Sequence, residues 1–245
     1  MVDETLARSF ESIGEDYERF RPGFPDAAAE AILPEQVATA VDLGAGTGKF
    51  TRLLQARADR VIAVEPSRAM LDVLRAELPW AEALDGGAER MPLADASADV
   101  VTVAQAFHWF DRDVACAEIA RVLAPAGRLG LVWNRSDPGC AWDVACHRVL
   151  HPAVGETDRT TETASVELPG FVLRGREEIH WSERITRADY LRRWQTVSSY
   201  LVADETGRAR MRERLQVVLD DDQDTASRDV LDLPHITDVF VYSRG

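Results

Sequence analysis

Apolar positions in the first half of the chain follow two alternating rhythms. Short runs such as Ala40-Val41, Val61-Ile62-Ala63-Val64 and Leu129-Gly130-Leu131-Val132-Trp133 are the pattern of strands buried on both faces, whereas the stretches between them repeat at helical spacing. The pattern predicts strands near 40–43, 60–65, 81–85, 98–104 and 128–133, with helices near 48–58, 67–78 and 112–124. Strands alternating with helices make a parallel sheet. Upstream, Leu6, Phe10, Ile13, Tyr17 and Phe20 share one stripe of an amphipathic helix. Arg21-Pro22-Gly23-Phe24-Pro25 breaks it, and Asp26 caps a second helix that runs to about Leu33.

After Trp133 the rhythm changes. Ser136-Asp137-Pro138-Gly139 is a turn, and helices are expected over 141–150, 187–200 and 205–219. A strand is expected over 171–182, and residues 151–169, polar and rich in Thr and Glu, read as mobile. Ile236 to Ser243 alternates cleanly and predicts a half-buried strand. Asp220-Asp221-Asp222-Gln223-Asp224 reads as a solvated helix end, because a calcium loop requires regular ligand spacing and a glycine hinge.

Composition narrows the classes. A chain of 245 residues suits one α/β domain with decorations, or a domain plus a small cap. No apolar run approaches the ~20 residues of a membrane helix. The start, Met-Val-Asp-Glu-Thr, lacks a basic-then-apolar signal. Cys116, Cys140 and Cys146 form neither a C-x-x-C pair nor an even framework, so they read as packing residues in a reduced cytoplasm. With a net charge of −14 and arginines scattered among acids, no basic face is offered to nucleic acid. A small-molecule partner, no nucleic acid, no membrane, and a monomer or homodimer are expected. No histidine has partners at ligand-like spacing, so no metal site is expected.

The chemistry concentrates at Val41-Asp42-Leu43-Gly44-Ala45-Gly46-Thr47-Gly48-Lys49, between a strand and a helix. Such a loop frees backbone N–H groups and lets a ligand approach the main chain. The next strand ends at Glu65, an acid suited to two ribose hydroxyls. A dinucleotide fingerprint fails, because Lys49 or Thr51 stands where the third glycine belongs. A P-loop fails because Leu43 and Phe50 occupy its required positions.

The remaining pattern, Asp-x-Gly-x-Gly-x-Gly, resembles the first motif of the class I S-adenosylmethionine-dependent methyltransferases. The resemblance continues through Val64-Glu65-Pro66-Ser67, Asp85 to Leu93, Asp99 to Asp111 and Arg121 to Leu129, covering roughly 38–134 in order. It implies a Rossmann-like α/β fold: a seven-stranded, mostly parallel sheet with an antiparallel terminal strand, helices on both faces and a small helical cap. The implied organisation is an N-terminal helical lid at 1–37, a cofactor core at 38–135, a substrate cap with a returning strand at 136–220, and a closing strand within 221–245.

In the cofactor site so implied, Gly44, Ala45, Gly46 and Gly48 lie along the methionine portion. Asp42 acts behind the loop, through its amides or a water, or else merely caps the helix. Glu65 takes the ribose. Pro66, with Ala88 and Glu89, borders the adenine, although Glu89 also reads as a surface acid. Gln105 borders the sulfonium end. Tyr17 and Arg21 lie in a segment similar to the family's Tyr-x-x-x-Arg-Pro-x-Tyr-Pro lid, with Phe24 replacing its second tyrosine.

Gln105-Ala106-Phe107-His108-Trp109-Phe110 lacks the Asn-Pro-Pro-Tyr run of enzymes that methylate DNA bases or glutamine. It resembles a small-molecule subgroup that includes trans-aconitate-like carboxyl methyltransferases. Phe107, Trp109, Arg135 and Ser198 are the acceptor-side candidates. His108 is either a general base for a hydroxyl or thiol, or a wall of the pocket. The implied activity is methyl transfer to a small organic acceptor, at oxygen (carboxylate or hydroxyl) before nitrogen, carbon or sulfur. The alternative from another class is a non-catalytic S-adenosylmethionine-binding regulatory protein.

Overall fold

A computed structural model describes residues 20–150 and 167–245. All but Phe20 of the N-terminal helix expected over 6–20, Tyr17 included, and most of the 151–169 stretch lie outside the described residues. The elements are α1 (Asp26–Ile32), β1 (Val37–Leu43), α2 (Thr51–Leu54), β2 (Ala58–Glu65), α3 (Arg68–Glu77), β3 (Glu82–Asp85), β4 (Ala98–Ala104), α4 (Arg112–Val122), β5 (Leu123–Ser136), α5 (Ala141–Leu150), β6 (Phe171–Thr186), α6 (Arg187–Arg193), α7 (Ser198–Leu201), α8 (Glu205–Asp221) and β7 (Val230–Arg244). Short 3₁₀ turns cover Phe107–Trp109 and Trp194–Thr196.

The seven strands form one sheet in the order β3-β2-β1-β4-β5-β7-β6. β1 pairs in parallel with β2 and β4, β2 with β3, and β4 with β5. The closing strand β7 is the antiparallel member. Register places Asp42 between Ala63 and Thr102, at the end of the sheet where β1 and β2 release their loops.

Side chains alternate across the sheet, so the central strands β1, β4 and β5 supply two cores. On one face Val41, Leu43, Val101, Val103, Leu129, Leu131 and Trp133 pack with Ala115, Cys116 and Ile119 of α4. On the other, Ala40, Val61, Val100 and Val132 meet Ala28, Ala29 and Ile32 of α1, with Phe50 and Leu54. Burying each such Val, Leu or Ile contributes about 1.5–3 kcal/mol. Gly130 permits the close approach of α1, since a Cβ there would sit 2.5 Å from Ile32.

Several elements differ from expectation: the helix expected over 187–200 is broken into α6, a 3₁₀ turn and α7, and β7 starts at Val230 rather than 236. The first helix after the glycine loop is one turn, Thr51–Leu54, rather than 48–58. β5 starts at Leu123, and its pairing with β4 is irregular across Ala124-Pro125-Ala126-Gly127: Ala98 pairs with Leu123, then Val100 pairs with Arg128. Proline lacks the amide that a regular ladder needs there.

Contacts divide the chain into a larger unit (residues 23–134, 159–179 and 237–245) and a smaller one (1–22, 135–158 and 180–236). The smaller unit has its own core, in which Trp142, Cys146 and Leu150 of α5 meet Tyr190, Trp194, Leu215, Leu219, Leu231 and Leu233. Several of its buried polar groups are paired, some across long stretches of sequence. Arg193 donates to both Glu183 oxygens at 2.8 Å and to the Phe20 carbonyl. His235 Nε2 lies 3.1 Å from Glu183 Oε2, and its ring stacks on Trp181. Tyr190 donates to Asp143 Oδ1 at 2.7 Å. All three cysteines are unbridged and buried. Burial pushes the Cys116 and Cys140 thiols up to about 11 and Cys146 to about 12. Among the described residues, no helix is long and apolar enough to cross a membrane.

Candidate active site

The glycine loop leaves β1 with left-handed backbone at all three glycines: φ is +68° at Gly44, +56° at Gly46 and +91° at Gly48. The three do different work. A Cβ on Gly44 would stand 2.7 Å from Ala106 Cβ, and one on Gly48 2.6 Å from Leu78. Both positions are closed by the protein's own side chains. At Gly46 the nearest atom, Met70 Sδ, is 3.9 Å away. Of the three, Gly46 alone has open space where a Cβ would stand, room that a ligand can use.

Glu65 ends β2 beside it. Its Oε2 accepts the Gly46 amide at 2.9 Å, and its Oε1 accepts the Ser67 amide at 2.8 Å. A carboxylate oxygen accepts two hydrogen bonds, so each retains a lone pair for a hydroxyl. Burial raises the carboxyl above its usual range, against the two amides, which lower it. One residue thus braces the loop and presents an acceptor pair where a ribose would fit.

Asp42 lies behind the loop, 1% exposed. Its partners are hydroxyls: Thr51 Oγ1 donates to Oδ2 at 2.6 Å and Thr102 Oγ1 to Oδ1 at 3.0 Å. Burial pushes this carboxyl up to about 6, with the neighbouring Glu65 charge adding to the rise and the threonines opposing it. Sequence reasoning passed over both threonines. Thr102 carried a signal, being the polar residue inside the apolar run Val100–Ala104, and Thr51 opens the helix after the loop.

On the expected adenine side, Pro66 is exposed, Ala88 is buried, and Glu89 accepts the Asp111 amide at 3.2 Å. Glu89 therefore ties its loop to the one after β4 in addition to any ligand role. Gln105 is left-handed, with φ +56°, and its side-chain amide donates to the Asn134 carbonyl at 3.0 Å.

The acceptor-side expectations fare unequally. Phe107, expected at the acceptor, is instead a core residue, 1% exposed and edge-on to Phe110. The reason is the 3₁₀ turn, which directs it inward while His108 and Trp109 stay exposed. His108 and Trp109 have ring centroids 4.8 Å apart. Arg21, Arg135 and Ser198 belong to the smaller unit, with Arg21 and Arg135 half-buried and Ser198 opening α7. The structure thus brings Asp42, Gly44, Ala45, Gly46, Gly48 and Glu65 together within the larger unit.

Residues 41–131 match the family model described as a methyltransferase domain. An uncharacterized methyltransferase of Mycobacterium tuberculosis is 38% identical over 95% of this chain and 94% of its own. The chain belongs to the S-adenosylmethionine-dependent methyltransferases. An uncharacterized methyltransferase of Schizosaccharomyces pombe is 36% identical over 68% of each chain. Among solved structures, a protein from Anaeromyxobacter dehalogenans described as a type II methyltransferase aligns with a TM-score of 0.72 and 25% identity. That alignment covers 92% of this chain and 98% of that one. The methyl donor of this methyltransferase is S-adenosylmethionine.

Proposed function

We propose that the protein transfers the methyl group of S-adenosylmethionine to an oxygen, carboxylate or hydroxyl, of a small organic acceptor. The observation that carries the cofactor half is the open main chain at Gly46 beside the paired acceptor oxygens of Glu65. Gly44, Ala45 and Gly46 would hold the methionine portion, Glu65 the ribose hydroxyls, and Pro66, Ala88 and Glu89 the base. Bound there, the sulfonium supplies a methyl already activated by positive charge. The chain's own residues then need only align, hold and exclude water.

The run Gln105-Ala106-Phe107-His108 supports oxygen over an amide or base nitrogen, because it offers no Asn-Pro-Pro-Tyr arrangement for a planar amine. An acidic chain with no basic stripe supports a small acceptor over nucleic acid. Residues 136–220 are proposed as the acceptor-selecting cap, with Ser198 contributing from within it and Arg135 from the end of the core. Three unbridged buried thiols fit a reducing, cytoplasmic setting; a monomer or homodimer is kept as the working state.

The test is a transfer assay with labelled S-adenosylmethionine against panels of carboxylic acids, phenols, alcohols, thiols and amines. Labelled ester or ether products support the proposal, and turnover confined to amines overturns it. His108→Ala divides the oxygen acceptors. A carboxylate, already anionic, needs no base and keeps its rate, while a hydroxyl acceptor loses about 10²–10⁴-fold if the imidazole removes its proton.

A further inference from the structure

Gln105 leaves β4 in a left-handed conformation, φ +56°, that a side chain with a Cβ adopts only when its surroundings enforce it. Two bonds enforce it. The Gln105 amide donates to the Val132 carbonyl at 2.9 Å, and its side-chain Nε2 donates to the Asn134 carbonyl at 3.0 Å. Both acceptors lie at the end of β5, so the placement of that end decides whether they are present.

Asn134, 8% exposed, is itself tied on two sides. Its Nδ2 donates to the Gly23 carbonyl at 2.7 Å, where the chain enters the larger unit, and its Oδ1 accepts the Thr237 hydroxyl of β7 at 2.6 Å. Downstream of Gln105 the chain turns onto the glycine loop. Ala106 Cβ lies 2.7 Å, and the Phe110 ring 3.2 Å, from where a Cβ on Gly44 would be. Asn134 thus connects Gly23, β7 and the end of β4 to the loop that carries Gly46.

We propose that Asn134 is a positioning residue for the cofactor site: pinned between Gly23 and Thr237, it holds the carbonyl that keeps Gln105 left-handed, and so holds residues 106–110 against Gly44. The proposal rests on the placement of S-adenosylmethionine at the glycine loop. An aspartate at 134 keeps the size and the acceptor for Thr237 but turns a carboxylate toward the Gly23 carbonyl, so Asn134→Asp should be at least as damaging as Asn134→Ala.

The test is a coupling measurement with S-adenosylhomocysteine in a calorimeter, alongside thermal unfolding of each protein without ligand. Asn134→Ala should weaken binding about tenfold in the parent and less than about threefold in a Gln105→Gly background, because glycine holds φ near +56° without enforcement. Thr237→Val, a milder cut of the same tether, should show the same dependence on background and serves if Asn134→Ala does not fold. Equal losses in both backgrounds, or a lower melting temperature with unchanged affinity, overturn the positioning role. Full affinity in Glu65→Ala overturns the placement of the donor and this role with it. A loss in Glu65→Ala with none in Asn134→Ala overturns this role alone.

Discussion

In the larger unit, three left-handed glycines and one glutamate, all between residues 44 and 65, shape a stretch of bare main chain. In the smaller unit, the buried polar contacts are made by side chains: Arg193 reaches the nearby Glu183 and the Phe20 carbonyl 173 positions away, and Tyr190 reaches Asp143 47 positions away. Recognition by backbone depends on few side chains, which suits a donor shared by a whole family. Side-chain clusters can be exchanged without rebuilding the chain, which suits the part proposed to choose the acceptor.

The sharpest break in this comparison is expected inside the glycine loop itself. Gly48→Ala forces a Cβ to 2.6 Å from Leu78 at φ +91°, and overpacking plus left-handed strain should cost about 4 kcal/mol, seen as a large fall in melting temperature. Gly46→Ala has room, so its melting temperature should fall far less while affinity for S-adenosylhomocysteine drops. If the two variants behave alike, the division between closing and open glycines is wrong.

Next in size, Glu65→Ala should weaken S-adenosylhomocysteine about 100-fold by calorimetry, near 3 kcal/mol, through loss of charge-assisted acceptors. In the smaller unit, Arg193→Ala should leave Glu183 with His235 alone and the Phe20 carbonyl without its Arg193 donor. Burial alone would raise the Glu183 carboxyl, but His235 and Arg193 outweigh it and hold the group below its usual range. The expected cost is about 2 kcal/mol in chemical denaturation, with affinity for S-adenosylhomocysteine nearly unchanged. Comparable affinity losses in the Glu65 and Arg193 variants would erase the contrast between the units.

The smallest effect concerns pH. Asp42 titrates at about 6 in the folded protein against 3.8 as its ordinary value, so between those values the native state binds the extra proton. Stability from this group is therefore highest below pH 4, falls as pH rises from about 4 to 6, and stays low above. Asp42→Asn should flatten that slope in denaturation curves taken from pH 4 to 7. It should also gain about 1 kcal/mol at pH 7, net of the altered threonine contacts. An unchanged slope would mean that Asp42 is not the group responsible.

The glycine trio, Glu65 and the alternation of strands with helices were legible because each is set by residues close together in the chain. The Asp42 partners were not, since Thr102 becomes its neighbour only through the β1–β4 register. Phe107 misled for a related reason: an aromatic after β4 reads equally as pocket wall or core, and the 3₁₀ turn chose the core. The Asn134 tether was not legible, because its partner Gly23 lies 111 positions away.

By itself, then, the sequence determined where glycines bare the main chain, which runs are apolar strands, and which acid follows β2, all of them consequences of local sterics and period. Tertiary structure alone decided which glycine stays open, what holds Asp42 and Gln105, and that Arg193 meets Phe20 across 173 positions. Contacts at such separations depend on strand order and packing. No local propensity encodes them.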